Sequence, residues 1–229
     1  MRKVNVRTQH AQSPPQAGKK WDKIYVETPF RYGKKPSLIA RRVAEMLRPS
    51  STVVELGGGY GRDAIFLAKM RHRVISLDIS EEAKISGNAF AKQEGVEGRA
   101  IFFTNDVSKD LELNPGSADA VFANLFFNLV EPDKVRILLG EIKEVLVPGG
   151  RLLFGLRTTS DIDFIEGETV FDNVKNCNGF TCYFYDENEA RDMFMGNGFS
   201  KSRMEHTQET VVIAGKETTA DLYLFDLVK

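Results

Sequence analysis

The run Thr52-Val53-Val54-Glu55-Leu56-Gly57-Gly58-Gly59-Tyr60-Gly61-Arg62-Asp63 constrains this chain more than any other stretch. Apolar β-formers end in an acid, and glycines then recur at alternate positions. The pattern predicts a strand, a tight loop and the first turn of a helix. Gly57, Gly59 and Gly61 lack the Cβ atoms that would hold a small ligand off the main chain, and they permit the positive φ angles of a tight turn. The spacing also excludes two kinds of ligand loop. A dinucleotide fingerprint needs glycine at the sixth position from Gly57, where this chain has Arg62, and no Gly-Lys-Ser or Gly-Lys-Thr follows to build a P-loop.

A second acid falls at a predicted strand end. Residues 73–80 gather β-formers and place Asp78, 17 residues beyond Gly61, at the carboxyl edge of a second strand. In open α/β sheets that edge borders the ligand crevice, where a carboxylate can accept both hydroxyls of a ribose. The alternative is that Asp78 begins the cap of a helix starting near Ser80. Strand and helix signals alternate through most of the chain, which predicts a parallel sheet with helices on both faces. Residues 36–47 read as a leading helix. Pro132 suits a first helical turn, and Val135, Leu138, Leu139, Ile142 and Leu146 then recur at helical spacing as a buried stripe. Asp186 and Glu189 have capping-box spacing ahead of Ala190, Met193 and Phe194, with Gly198 expected to end that helix. Residues 199–214 and 220–228 read as an antiparallel hairpin joined by Gly215-Lys216-Glu217-Thr218. Residues 157–182 fit no simple repeat and form an insertion after the fifth strand, a lid or binding segment on the substrate side.

The motif E-x-G-x-G-x-G, from Glu55 to Gly61, resembles the first motif of the class I S-adenosylmethionine-dependent methyltransferases, and the resemblance extends over residues 36–229. It implies a three-layer, Rossmann-like seven-stranded sheet, mostly parallel with an antiparallel last strand. It implies S-adenosyl-L-methionine as cofactor and S-adenosyl-L-homocysteine as product, bound by Glu55, Gly57, Gly58, Gly59, Gly61, Asp78 and Ile79. The third strand (residues 100–105) ends at Asp106-Val107, matching the family position whose carboxylate takes the adenine amino group while the next backbone N–H meets the ring. The fourth (residues 118–123) ends at Asn124-Leu125-Phe126-Phe127, the segment that in relatives lies beneath the methionine moiety and faces the acceptor. Residues 147–154 look like the family's turn into its fifth strand. The wording of residues 61–68, with Trp21-Asp22-Lys23-Ile24-Tyr25 and Thr28-Pro29-Phe30 upstream, is similar to the small-molecule branch that includes tellurite-resistance and thiopurine methyltransferases. A small-molecule acceptor methylated by in-line displacement is therefore expected. Protein methylation, an NAD-type oxidoreductase and a non-catalytic cofactor-binding module are the alternatives. The oxidoreductase reading lacks a Tyr-x-x-x-Lys pair. Nucleobase methylation lacks its paired prolines after strand four and a cysteine that follows a proline.

Trp21, Tyr25, Tyr32, Phe126 and Phe127 are candidates for the pocket wall, with ordinary core packing as the other reading for each. Arg157, after the fifth strand, either orients an anionic acceptor or is a surface arginine. His206 falls inside a predicted strand and reads as structural. No residue is assigned as a general base. With 229 residues, 42% of them hydrophobic, the chain can bury one sizeable core. Residues 1–20 carry five basic groups and no acid, leaving 26 basic against 32 acidic residues elsewhere. The first twenty residues are expected to be a disordered basic arm ahead of a single domain at 21–229. An acidic body gives no electrostatic footprint for nucleic acid. No membrane span is expected, and a cytoplasmic location is. Two cysteines (Cys177, Cys182) and three scattered histidines predict neither a metal site nor a disulfide framework.

Overall fold

A computed structural model describes residues 16–177 and 179–229. Its elements run α1 (Gln16–Glu27), α2 (Leu38–Met46), β1 (Thr52–Leu56), α3 (Arg62–Lys69), β2 (Arg73–Asp78), α4 (Glu81–Gln93) and β3 (Ala100–Thr104). Then follow β4 (Ala118–Asn124), a 3-10 turn (Phe127–Leu129), α5 (Pro132–Val145), β5 (Leu146–Arg157), α6 (Ile162–Glu166), β6 (Glu168–Phe171), β7 (Val174–Cys177) and β8 (Phe180–Tyr183). The last are α7 (Glu187–Phe194), β9 (Lys201–Ile213) and β10 (Lys216–Val228).

Seven strands form one sheet in the order β3-β2-β1-β4-β5-β10-β9. β1 to β5 pair in parallel, and β10 runs antiparallel to both of its neighbours. The expected three-layer α/β sheet is thus the architecture found, with its last strand in sequence lying one place in from the edge. Strand alternation sends successive side chains to opposite layers. On β1, Val53 packs among residues of α2, α3 and α4, whereas Val54 and Leu56 pack among residues of α5 and α7. β10 does the same, with Ala220, Leu222 and Leu224 on one side and Tyr223, Phe225 and Leu227 on the other. Burial on both faces explains why the central strands read as nearly continuous apolar runs.

Helix starts follow side-chain chemistry. Ser37 and Ser80 accept from the backbone N–H of Ala40 and Ala83 to cap α2 and α4. α7 carries the full capping box, in which Asp186 accepts from Glu189 N while the Glu189 side chain accepts from Asp186 N. Asp186→Ala leaves the Glu189 N–H without its side-chain acceptor, so a thermal melt should show a loss of about 1 kcal/mol.

Several expectations need correction. Residues 16–20 are helical rather than part of a disordered arm, because Gly18 lets α1 dock on the end of β2: a Cβ there would lie 2.8 Å from the Ile79 carbonyl oxygen. Residues 1–15 lie outside the described residues. α2 starts at Leu38, one residue past its serine cap. α7 ends at Phe194, four residues before Gly198. The terminal hairpin turns in two residues, Ala214 and Gly215, both at positive φ (50° and 80°), so β10 begins at Lys216. Such a tight turn matches strand twist and keeps the register unbroken from Ile213–Lys216 to Lys201–Val228. The insertion is a folded unit, α6 followed by the antiparallel sheet β6-β7-β8. Among the described residues no helix is long and apolar enough to cross a membrane.

Candidate active site

A cavity of about 970 Å³ opens at the carboxyl ends of β1, β2 and β4. α1 and the insertion lie over it. α1 is fixed at its base by Asp22, which accepts from Ser80 Oγ (2.6 Å) and from Glu82 N (3.0 Å) at the start of α4. It meets the insertion where Trp21 stacks on Phe180, ring centroids 4.4 Å apart, and where Lys20 Nζ donates to the Gly179 carbonyl. The insertion is tied back to the sheet. Asn128 donates to the Arg157 and Tyr183 carbonyls and accepts from Arg157 N. Asp221 on β10 accepts from Thr158 Oγ1 and Gln208 and pairs with His206 Nε2 at 2.7 Å, while its own N–H donates to Asp161. Burial would raise the Asp221 pKa, but its hydrogen bonds from Thr158, His206 and Gln208 carry it below the ordinary value.

The site residues expected from the sequence line this cavity, with the exceptions of Gly61 and Phe127. Gly61 caps α3 at φ 82°, and its missing Cβ makes room for the Phe102 ring. Phe127 is fully buried against Phe154 and Phe194, so of the adjacent pair only Phe126 reaches the cavity. The other loop glycines line the cavity and are also closely approached by the protein's own side chains. A Cβ on Gly57 would meet Phe126, one on Gly59 the Tyr25 hydroxyl (2.8 Å), and one on Gly58 the Ser76 Oγ and Glu55 Oε2 atoms. The bare backbone therefore admits the protein's own side chains closely, and α1 lies down on the loop through Tyr25.

Glu55 sits beneath the loop and accepts from Ser76 Oγ at 2.6 Å. Burial, then the charge of Asp63, holds its pKa well above the usual carboxylate range. Asp63 accepts from both Ser37 N and Ser37 Oγ at 2.7 Å, fastening α3 to α2. Asp78 accepts from Gly59 N and Ser80 N, each at 2.9 Å. The cap of α4 is Ser80, so Asp78 is not the capping residue. Burial pushes the Asp78 pKa up to about 6, the Ser80 and Gly59 N–H groups opposing the shift and Asp22 adding to it. Leu125, at the end of β4, holds φ 60°, a conformation costly for a non-glycine residue and frequent at functional sites. Its N–H donates to the Gly155 carbonyl.

Arg157 is not a free anion receptor. Its guanidinium pairs with Asp163 and, at 3.4 Å, with Asp161 at the α6 cap. Tyr60 and Arg31 are cavity residues the sequence reading missed. Tyr60 was hidden inside the glycine motif, and Arg31 carries no local pattern at all.

The residues present fit a nucleoside-bearing cofactor. Each Asp78 oxygen keeps a lone pair beyond its backbone donor. Beside Asp106, the buried Asn105 Oδ1 has no hydrogen-bond partner among the described residues, an acceptor that a nucleoside donor would satisfy. The volume is at the top of the range of roughly 300–1,000 Å³ for small-molecule sites, enough for two ligands side by side.

Residues 53–150 match the family described as "Methyltransferase domain", which together with the fold supports a class I S-adenosylmethionine-dependent methyltransferase. Among curated relatives it is similar to phosphoethanolamine N-methyltransferase 1 of Triticum aestivum, 34% identical over 44% of this chain and 20% of that one. It is also similar to ribosomal protein L11 methyltransferase of Thermus thermophilus, 33% identical over 51% of this chain and 42% of that one. The match thus spans less than half the length of these relatives. A solved Burkholderia thailandensis 1,6-didemethyltoxoflavin-N1-methyltransferase shares the fold at TM-score 0.64 and 18% identity, covering 99% of this chain and 95% of that one.

Proposed function

We propose that this protein transfers a methyl group from S-adenosylmethionine to a small-molecule acceptor. The observation that carries this reading is the roofed cavity at the strand ends, with Asp78 on its floor and α1 over it. A roof closed by Trp21 on Phe180 favours an acceptor that fits inside over a residue of a folded protein. The relatives' names include both kinds of acceptor, and the roofed cavity supports the small-molecule reading.

The cofactor, when bound, supplies a methyl group already activated by a positive sulfur. Asp78 accepts the ribose hydroxyls, and Asp106 with Val107 N–H takes the adenine edge. Asn124 and Leu125 hold the amino-acid end. Tyr25, Tyr60 and Phe126 wall the space between cofactor and acceptor and exclude water. Exclusion helps because charge is lost as the methyl moves, and ring faces near a cation contribute about 0.5–2 kcal/mol each. Tyr25 is held neutral by burial, then by Asp78 and its neighbouring tyrosines, so it is no base. Holding the acceptor in line contributes roughly 7–11 kcal/mol. Calorimetry should give saturable binding of S-adenosylmethionine and S-adenosylhomocysteine and none of NAD. Radiolabel should then pass from the methyl group to members of a small-acceptor panel. Tight NAD binding without the sulfur cofactors would end the proposal.

A further inference from the structure

Among the described residues two cavity cations, Lys20 and Arg31, have no ion pair, and of these only Lys20 is committed to another polar group by its side chain. Of the basic residues lining it, Arg62 pairs with Asp63, Lys109 with Asp106 and Arg157 with Asp161 and Asp163, while Lys20 donates to the Gly179 carbonyl. Half-buried Arg31 forms no ion pair among the described residues; its guanidinium lies 5.9 Å from the Tyr32 ring centroid. Residues 1–15 and Asn178 contain no Asp or Glu that could serve.

Arg31 is also built into place. It and Tyr32 are the central residues of a turn closed by Gly33 N donating to the Phe30 carbonyl at 2.7 Å. The Tyr60 hydroxyl accepts from Tyr32 N (3.0 Å) and donates to the Gly33 carbonyl (2.7 Å). Arg62 donates to the Tyr32 carbonyl (2.9 Å), and Ala214 N, at the hairpin tip, donates to the Arg31 carbonyl (2.7 Å). Phe30, just before, is held at φ 52°. A turn whose backbone is anchored from the glycine loop and from the hairpin tip extends a planar cation beside an aromatic ring. Guanidinium forks match carboxylates, and a partly desolvated cation is costly without a counter-ion.

Resting on the methyltransferase reading, we propose that Arg31 receives an anionic group of the acceptor, of carboxylate class, next to Tyr32. The cofactor's own carboxylate offers the same chemistry, and the test separates the two. The protein loaded with S-adenosylhomocysteine is titrated with benzoate, acetate, phosphate and neutral benzamide. Binding is read by calorimetry and by fluorescence of Trp21, the only tryptophan, which lines the cavity. Benzoate is expected to saturate and benzamide not. Arg31→Gln should weaken benzoate about 10- to 100-fold. Arg31→Lys, which keeps the charge but not the fork, should weaken benzoate less than Arg31→Gln does, and both variants should melt like the parent and bind S-adenosylhomocysteine within about twofold of it. The proposal is overturned if no anion binds saturably, if benzamide matches benzoate, or if Arg31→Gln leaves benzoate unchanged. It is equally overturned if that variant loses the cofactor product as strongly as benzoate, since the cofactor's carboxylate is then the partner. Failure of the parent to bind the cofactor product would sink the methyltransferase reading instead, and benzoate titration of the cofactor-free protein still reads Arg31 alone.

Discussion

Asp78→Ala is expected to raise the dissociation constant for S-adenosylhomocysteine by about 5- to 150-fold, because two ribose hydroxyls lose a carboxylate acceptor, about 1–3 kcal/mol in total. The carboxylate is already oriented in the structure by Gly59 N and Ser80 N, so the ligand finds it pre-positioned. Its titration gives a second readout. With a folded pKa of about 6 against an ordinary 3.8, Asp78 binds its proton more tightly when folded. Its contribution to stability is therefore fully present below pH 3.8 and is lost as pH rises through about 6. Ribose hydroxyls favour the ionised form, so the cofactor product should bind more weakly as pH falls below 6. At that pH binding should release about half a proton, measurable by calorimetry in buffers of different ionisation enthalpy. The alanine variant should release none from this site. An affinity independent of pH between 5 and 7, or an unchanged constant in the folded variant, would remove Asp78 from the cofactor site.

The sheet was legible because each central strand is buried on both faces and ends at a punctuating polar residue. Glu55, Asp78, Asp106 and Asn124 all stand where an apolar run stops, and the fold gathers those stops at one edge. The glycines were legible as places without a Cβ, but sequence cannot say what uses the room. Here it is Phe126, Glu55 with Ser76, Tyr25 and Phe102, brought from five different elements or turns. Phe126 and Phe127 look alike in sequence, and a 3-10 turn sends one to the cavity and one to the core. The insertion gave no periodic signal because its strands are four residues each and β6 is exposed throughout. The pairing of Arg157 had a signal, since Asp161 and Asp163 follow at spacing suited to a helix start. Arg31 had none, because its meaning depends on charges that pair elsewhere.

Those close approaches make glycine substitutions diagnostic, and the same chemical change should act with opposite signs at two positions. Gly58→Ala places a Cβ 1.9 Å from Ser76 Oγ and 2.3 Å from Glu55 Oε2, both buried between β1 and β2. Neither can retreat and keep its hydrogen bond, because their partners are each other and the strands are paired in register at Glu55–Ser76. The hydroxyl must leave, stranding a buried carboxyl group without its donor, which costs about 1–3 kcal/mol before the displaced loop is counted. A total near 3 kcal/mol lowers the melting temperature by roughly 6–12 °C for a chain of this size. Cofactor-product binding should fall with it, since Gly59 N orients Asp78 from the next residue. Gly140→Ala in α5 meets open space in an exposed helical position. It should raise stability by about 1 kcal/mol through the better helix propensity of alanine and leave binding untouched. Equal melting temperatures for Gly58→Ala and the parent would show that the Glu55–Ser76 pair yields at no cost, and the loop would then lose its role as a rigid floor for the ligand.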